Sequence, residues 1–504
     1  MLASLNQADD KRRRKLVLLF AATALASAAL YWLAFVQAAN LLHLDRGLPQ
    51  DLFLLGNGAA ELNWRFLLAF AGLGFLYFFG YHLARRLQGR TAWLIVFGGA
   101  LASSLALIFL FPLDAADIFD NILHGRILGI YGQNPFTQVI NQFPKDPFFA
   151  YTAWKRSPAA YGPVWEILAG AAARLAGDGL LTNLIAFKLL PGSFFLASTF
   201  ILGMILKRID PKQAPARTLL FAWNPPVLYE TWGNGHNDPL IVFWCLCAAL
   251  ALLHQRYTIS ILALVAGTLS KFIPILLIPA AIGLALSSLN GLRQRARFLV
   301  TSIVFSSLLI ILAYLPFWAG VQVLSIERRR HLFSSTLPAV IYQLIRPRLG
   351  LEQAATTVSL AALILTILFA LWQGYRAWRA GSWQGFIKAS STVLTFYLLL
   401  TCLWFQQWYP IWLIGLAPLL KPGPARRLAL IFGFSALSKQ LIFGPLLYVP
   451  RPTIQQPWLE IWFTLGVIAP IWLYLLYEYV QTRIRMRLQT RKLFHGLLAS
   501  VFRF

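Results

Sequence analysis

Long apolar runs, separated by short basic clusters, constrain this chain more than any other feature. Read by the ~20 residues that one crossing of a bilayer needs, about fourteen candidate crossings emerge. They lie at roughly 16–39, 64–83, 91–112, 183–206, 217–231, 239–255, 258–271, 273–289, 298–318, 356–374, 389–405, 409–420, 428–447 and 458–480. Backbone in hydrocarbon must satisfy its own hydrogen bonds, so such a chain forms helices or a closed barrel. A barrel would show short alternating segments, and none dominate here. The expected fold is therefore all-α: one polytopic integral-membrane domain over 1–504, with two extra N-terminal spans (16–83) and two long loops (113–182 and 319–355). The composition agrees, at 58% hydrophobic, 12% charged and a mean hydropathy of +0.64.

A net charge of +26 suggests nucleic acid, but its placement argues otherwise. The basic residues fall between apolar runs, where they orient helices. Lys11-Arg12-Arg13-Arg14-Lys15 is followed by a run long enough to span, without a small-residue cleavage pattern, so a retained first helix is expected. Arg85-Arg86-Arg90, Lys207-Arg208, Arg293-Arg295-Arg297, Lys421-Arg426-Arg427 and the tail from Arg483 then fall on one side at alternate loops. That bias predicts an inner-membrane protein with both termini cytoplasmic. The three cysteines, Cys245, Cys247 and Cys402, sit in apolar runs and read as small buried hydrophobes.

The same orientation gathers the polar residues that are hard to explain structurally on the outer side. Asp114, Asp117 and Asp120 follow an apolar run at spacing three, which on a helix gives one broad acidic face. Neighbouring carboxylates raise one another's pKa and favour a base near neutral pH. The plainer reading makes Asp114 a helix cap. Gly125-Arg126, Tyr131-Gly132-Gln133-Asn134-Pro135-Phe136 and Tyr161-Gly162-Pro163-Val164-Trp165 combine sharp turns with interfacial aromatics. Glu230 to Pro239 interrupts apolar helices with Gly-Asn-Gly-His-Asn-Asp; His236, Asn237 and Asp238 suit sugar hydroxyls, or Asp238 simply caps the next helix.

Lys271 stands between two half-length apolar segments, which is costly unless it reaches an anion such as phosphate or snorkels to the interface. Arg328, Arg329 and Arg330, in Glu327–His331, offer a second anionic-ligand site or a contact with headgroups. The segments 217–255, 258–289 and 389–420 break at polar or Pro-rich turns, and helices that stop short usually line a cavity. No phosphate-binding glycine loop, dinucleotide fingerprint or clustered His/Cys set is present in the sequence, so an activated substrate should arrive through the membrane.

Together these residues resemble the GT-C class of polytopic glycosyltransferases, most nearly the bacterial polyprenol-phosphate-mannose α-mannosyltransferases. The resemblance rests on Asp117-Ile118-Phe119, Gly125-Arg126, Gly132-x-Asn134-Pro135, Tyr161-Gly162-Pro163, Gly233–Asp238, Lys271-x-x-Pro274 and Trp408-Tyr409, across about 112–410. It implies a GT-C fold and a polyprenyl-phosphate sugar donor, with a glycolipid, polysaccharide or protein as acceptor at the outer face. It also implies an acidic base on the first long loop, matched by Asp117 with Asp114 or Asp120 as helper. Arg126, Asn134, Tyr161, Lys271, Gln407 and Tyr409 then join the substrate-binding set. Two features depart from that layout: two spans precede the loop-bearing one, and His124 stands where relatives often carry an acid. A cationic clamp on the leaving phosphate would make a metal or other cofactor unnecessary, and single displacement would invert the anomeric carbon. The rival from another class is a secondary transporter or lipid flippase, which would also use broken helices and intramembrane charge.

Overall fold

The computed structural model describes residues 2–42, 60–113, 116–324, 332–439 and 457–501, and it is all-α. Among the described residues there is no strand, only two isolated backbone bridges. Six helices are long and apolar enough to cross a membrane: Asp10–Val36, Trp64–Ala84, Arg90–Leu107, Leu180–Ile209, Leu292–Phe317 and Leu351–Ala380. Shorter apolar helices, Pro239–Leu253, Tyr257–Thr268 and Ile273–Ser288, stand among them. Nine of the fourteen apolar runs of the sequence thus fall on these helices, six of which are long enough to span.

Of the first helices, α2 (Ala60–Ala84) and α3 (Arg90–Leu107) both pack on α1 (Leu2–Tyr31). Beyond α3, the carbonyls of Ile108 and Leu110 have no helical N–H to accept from. The fully buried Lys188 supplies them: its ammonium donates to the Ile108 carbonyl at 3.2 Å and also to that of Leu110. Backbone pairs from Leu41 to the Phe109 carbonyl (2.7 Å) and from Phe111 to the Ala39 carbonyl (2.8 Å) clamp the other side. Held from two sides, this segment delivers the chain to α4 (Asp117–Gly129) at a fixed place. The α4 helix lies along α5 (Pro163–Ala176), with Gly125 and Gly129 against the α5 backbone.

The rest of the chain builds around α6 (Leu180–Ile209), whose neighbours include α7 (Ala214–Ala222) and α9 (Pro239–Leu253). Between those two sits the four-residue α8 (Pro225–Leu228). Next come α10 (Tyr257–Thr268), α11 (Ile278–Ser288) and α12 (Leu292–Tyr314). They are followed by α13 (Leu337–Leu349), α14 (Leu351–Ala380) and α15 (Trp383–Phe396). The short α16 (Ile411–Leu416), α17 (Pro424–Ala436) and α18 (Pro457–Val501) complete the order.

Trp223, at the end of α7, ties that helix to α1, α2 and α3. Its indole N–H donates to the Val96 carbonyl at 2.8 Å, and its ring lies 5.2 Å from that of Phe20. The ring occupies the space that side chains at Gly80 and Gly99 would fill. Trp223→Ala is therefore expected to cost about 3–5 kcal/mol, the usual penalty for emptying a large aromatic site. Trp318→Ala, at a ring 58% exposed, should leave stability unchanged. Unfolding midpoints in mild detergent test the contrast, and equal losses would remove Trp223 as a tie.

Candidate active site

The break between α7 and α9 is built from local rules. Asn224 accepts from the Val227 N–H at 3.2 Å, capping α8, and Pro225 and Pro226 follow where no helical N–H is needed. A π-turn over Tyr229–Gly233 and a left-handed Gly235 (φ 74°) then reverse the chain. A β-carbon at Gly235 would stand 2.5 Å from the Ile118 side chain, so this turn rests directly on α4. Asn234 fastens it further, accepting from the Leu113 N–H at 3.1 Å and donating to Glu230 at 3.0 Å. His236 lies 3.3 Å from the same Glu230 oxygen and stacks on Trp408, with centroids 3.5 Å apart.

Lys271 follows the end of α10. The N–H groups of Gly162 and Val164 donate to the Ser270 and Leu269 carbonyls, each at 3.0 Å. A β-carbon at Gly162 would fall 2.1 Å from the Leu269 carbonyl oxygen, so only glycine allows this contact. It seats Tyr161 beneath the ammonium. Lys271, 9% exposed, reaches Asp238 Oδ2 at 2.9 Å and Asn237 Oδ1 at 3.3 Å. Its Nζ also lies 4.8 Å from the Tyr161 ring centre, 5.6 Å from Tyr409 and 6.0 Å from Trp412. The other oxygen of Asp238 accepts from the Trp412 indole at 2.6 Å. Asp238 precedes α9 but makes no side-chain cap, so the plainer capping reading fails. Its carboxylate is turned to the lysine instead.

Asp117 opens α4 inside the electrostatic reach of Lys271. Burial raises its pKa above the usual carboxylate value, while the Lys271 charge and a hydrogen bond from Trp154 work against that rise. Asp120 accepts from the Trp154 N–H at 2.9 Å and more loosely from that of Ala153 at 3.4 Å. Burial pushes its pKa up to about 7 against those two bonds, with the Asp117 charge adding to the rise. The two aspartates differ in role: Asp120 holds the loop that carries Trp154, and Asp117 shares its surroundings with Lys271.

The structure gathers Asp117, Tyr161, His236, Asn237, Asp238, Lys271 and Tyr409, with Gln407 buried beside Trp408. Arg126 is placed elsewhere. It is buried, bonding Asp146 and Asp178 at 2.7 Å each and the Gly177 carbonyl at 2.7 Å, and its guanidinium lies over Phe148. Those partners make it a brace between loops rather than a group facing substrate. Asn134 braces as well, donating to the Phe317 carbonyl at 2.6 Å and accepting from the Phe136 N–H at 3.0 Å. His124 is buried 3.3 Å from the Ser157 carbonyl. Asp114, Arg328, Arg329 and Arg330 lie outside the described residues.

Three site residues escaped the sequence reading. Trp412 and Trp154 carried no signal beyond aromaticity. Lys439 did carry one, as a charge inside the apolar run 428–447. It donates to the Phe405 carbonyl at 2.6 Å and to Gln406 at 3.0 Å, and its charge also acts on Asp117. Among the described residues, no three His, Cys, Asp or Glu side chains converge as a metal site. The chemistry at hand is the half-buried carboxylate of Asp117 in the field of two ammonium groups, beside aromatic rings.

Comparison with known proteins adds two findings. A family described as alpha-(1->6)-mannopyranosyltransferase, N-terminal domain, matches residues 19–287. Alpha-(1->6)-mannopyranosyltransferase A of Corynebacterium glutamicum is 25% identical over 202 residues, which is 40% of this chain and 39% of that protein. The match therefore spans about two fifths of the curated relative's length.

Two outcomes check this geometry. Arg126→Met leaves Asp146 buried without its cation and should cost about 3–5 kcal/mol. Asp178→Ala, at an exposed partner, should cost less than about 1 kcal/mol. Comparable losses would mean that Arg126 acts otherwise than as a buried brace. Folded Asp120 keeps its proton up to about 7, whereas an unfolded Asp loses it near ~4. The folded chain thus holds more protons across that window, and this contribution to stability falls as pH rises through it. Asp120→Asn should flatten the dependence of the unfolding midpoint on pH, and an unchanged slope would refute the assignment.

Proposed function

This chain belongs to the alpha-(1->6)-mannopyranosyltransferase family, and from that premise we propose that it moves mannose from a polyprenyl-phosphate carrier to a glycolipid or polysaccharide acceptor. The observation that carries the reading is the Lys271 ammonium, held by Asp238 and three aromatic faces within the field of Asp117. Asp117 takes the proton of the acceptor hydroxyl as its oxygen attacks the anomeric carbon. The bond from that carbon to the phosphate oxygen breaks, and its electron pair leaves with the lipid phosphate. Lys271, with Lys439 nearby, offsets the charge that develops there. A single displacement inverts the anomeric carbon. Burial raises the pKa of Asp117, which makes it a stronger base than an ordinary carboxylate.

The charge bias supports an extracytoplasmic site in the inner membrane, with both termini inside. The α3 helix begins at Arg90 among the basic residues and runs toward Leu113, the residue tied to Asn234. His236, stacked on Trp408, and Asn237 are assigned to sugar or acceptor hydroxyls. Lys271 carries the phosphate charge in this scheme, so transfer should proceed without added metal or other cofactor.

Membranes carrying wild type or Asp117→Asn, supplied with radiolabelled polyprenyl-phosphate mannose, test the proposal. Label should reach a glycan or lipid with wild type, and the variant should lose about 10²–10⁴-fold in rate, the range for a general base. Near-wild-type transfer by Asp117→Asn would remove it as the base. Lys271→Ala should raise the KM for the lipid-phosphate donor more than that for the acceptor, with equal rises arguing against a phosphate role. No transfer by wild type across several polyprenyl-phosphate sugars would favour a transporter.

A further inference from the structure

At the end of the helices opposite Lys271, a hollow of about 670 Å³ opens between the start of α1 and the end of α2. Arg12, Arg13, Leu16, Arg86, Leu87 and Gln88 line it. Three arginines therefore line one space, and among the described residues no carboxylate lines it with them. Among the described residues no acid pairs with any of the three, whereas neighbouring Arg14 is paired with Asp10 at 3.1 Å. Leu16 and Leu87 give the hollow an apolar side.

A second observation lies on the same face. Arg426, in the first turns of α17, has one buried guanidinium nitrogen with no hydrogen-bond acceptor. Its other terminal nitrogen stands 3.5 Å from the Tyr81 hydroxyl. Tyr81 favours its charge, while Arg217 and Arg85, both of like sign, act against it. Arg217 is committed to Asp210 and to the Pro418 and Leu420 carbonyls. Arg85, next to Arg86 in the chain, lies over the Tyr81 ring at 6.0 Å. Arg12, Arg13, Arg85 and Arg86 are exposed, and like-signed side chains gathered at one end of membrane helices attract an acidic headgroup.

We propose that this hollow binds the phosphodiester headgroup of an acidic phospholipid from the adjoining leaflet. Arg12, Arg13 and Arg86 surround the phosphate, while Leu16 and Leu87 meet the glycerol and the first acyl carbons. Basic pockets between membrane helices hold acidic headgroups in this way, and the apolar side favours a lipid over free phosphate. The inference is independent of the donor, the acceptor and the catalytic base.

The test is retention of phosphatidylglycerol by the purified full chain, taken from vesicles of phosphatidylcholine and phosphatidylglycerol and read by native mass spectrometry. Wild type should keep phosphatidylglycerol over phosphatidylcholine. Arg12→Gln with Arg86→Gln should reduce that retention by about fivefold per arginine, the contribution of one basic residue near an acidic surface. Lys207→Gln with Arg208→Gln removes the same charge from exposed positions elsewhere on the basic side, and should retain the lipid as wild type does. Equal weakening in both doubles would reduce the effect to diffuse surface attraction. No weakening in the first double would overturn the site. Displacement of the lipid by millimolar inorganic phosphate would replace it with a soluble-anion site.

Discussion

A charge withdrawn from water must find its neutralising partners inside the protein, and Lys271 imposes that requirement on much of this structure. Its partners come from separate stretches: Tyr161 before α5, Asn237 and Asp238 before α9, Tyr409 and Trp412 around α16. A continuous helix through any of these points would bury its own polar groups against its neighbours and deny them to the lysine. The short elements α8, α10 and α16 make room for side chains to meet. The contact of Gly162 with the Leu269 carbonyl then fixes how near two of these stretches stand.

The carboxylate of Asp238 shows why the pair holds. One oxygen takes the ammonium and the other takes the Trp412 indole, so neither is buried without a donor. A buried ion pair stabilises only when the remaining lone pairs are met in this way. The loop carrying Trp154 is treated similarly, through Asp120 and its two backbone donors. Arg126, Asn134 and Lys188 do the same for loop and helix ends farther away. Much of the polarity in this apolar chain thus goes to positioning.

Placement of the nine apolar helices was readable because hydrophobic runs in lipid carry their own boundaries, and so was the break within 217–255. Lys271 was readable for a related reason: an isolated charge in an apolar run needs an explanation. Its partner was not, since Asp238 meets it across a chain reversal that spacing does not encode. Arg126 misled because sequence shows a charge but not its distant counter-charges, Asp146 and Asp178. Lys439 was passed over because the run around it read as an ordinary span. Hydropathy is a local quantity, and pairing is not.

The resting contact between Lys271 and Asp238 also bears on how a catalytic cycle would close. The aspartate occupies one side of the ammonium, so an incoming phosphate competes with a ligand tethered in the same molecule. In the proposed scheme the spent lipid phosphate would compete with that ligand as well. Because Trp412 holds the carboxylate in position, the aspartate is ready to reclaim the lysine once the sugar has gone. Under the proposed chemistry such a built-in competitor would weaken substrate and by-product together, trading tight capture for resistance to product inhibition.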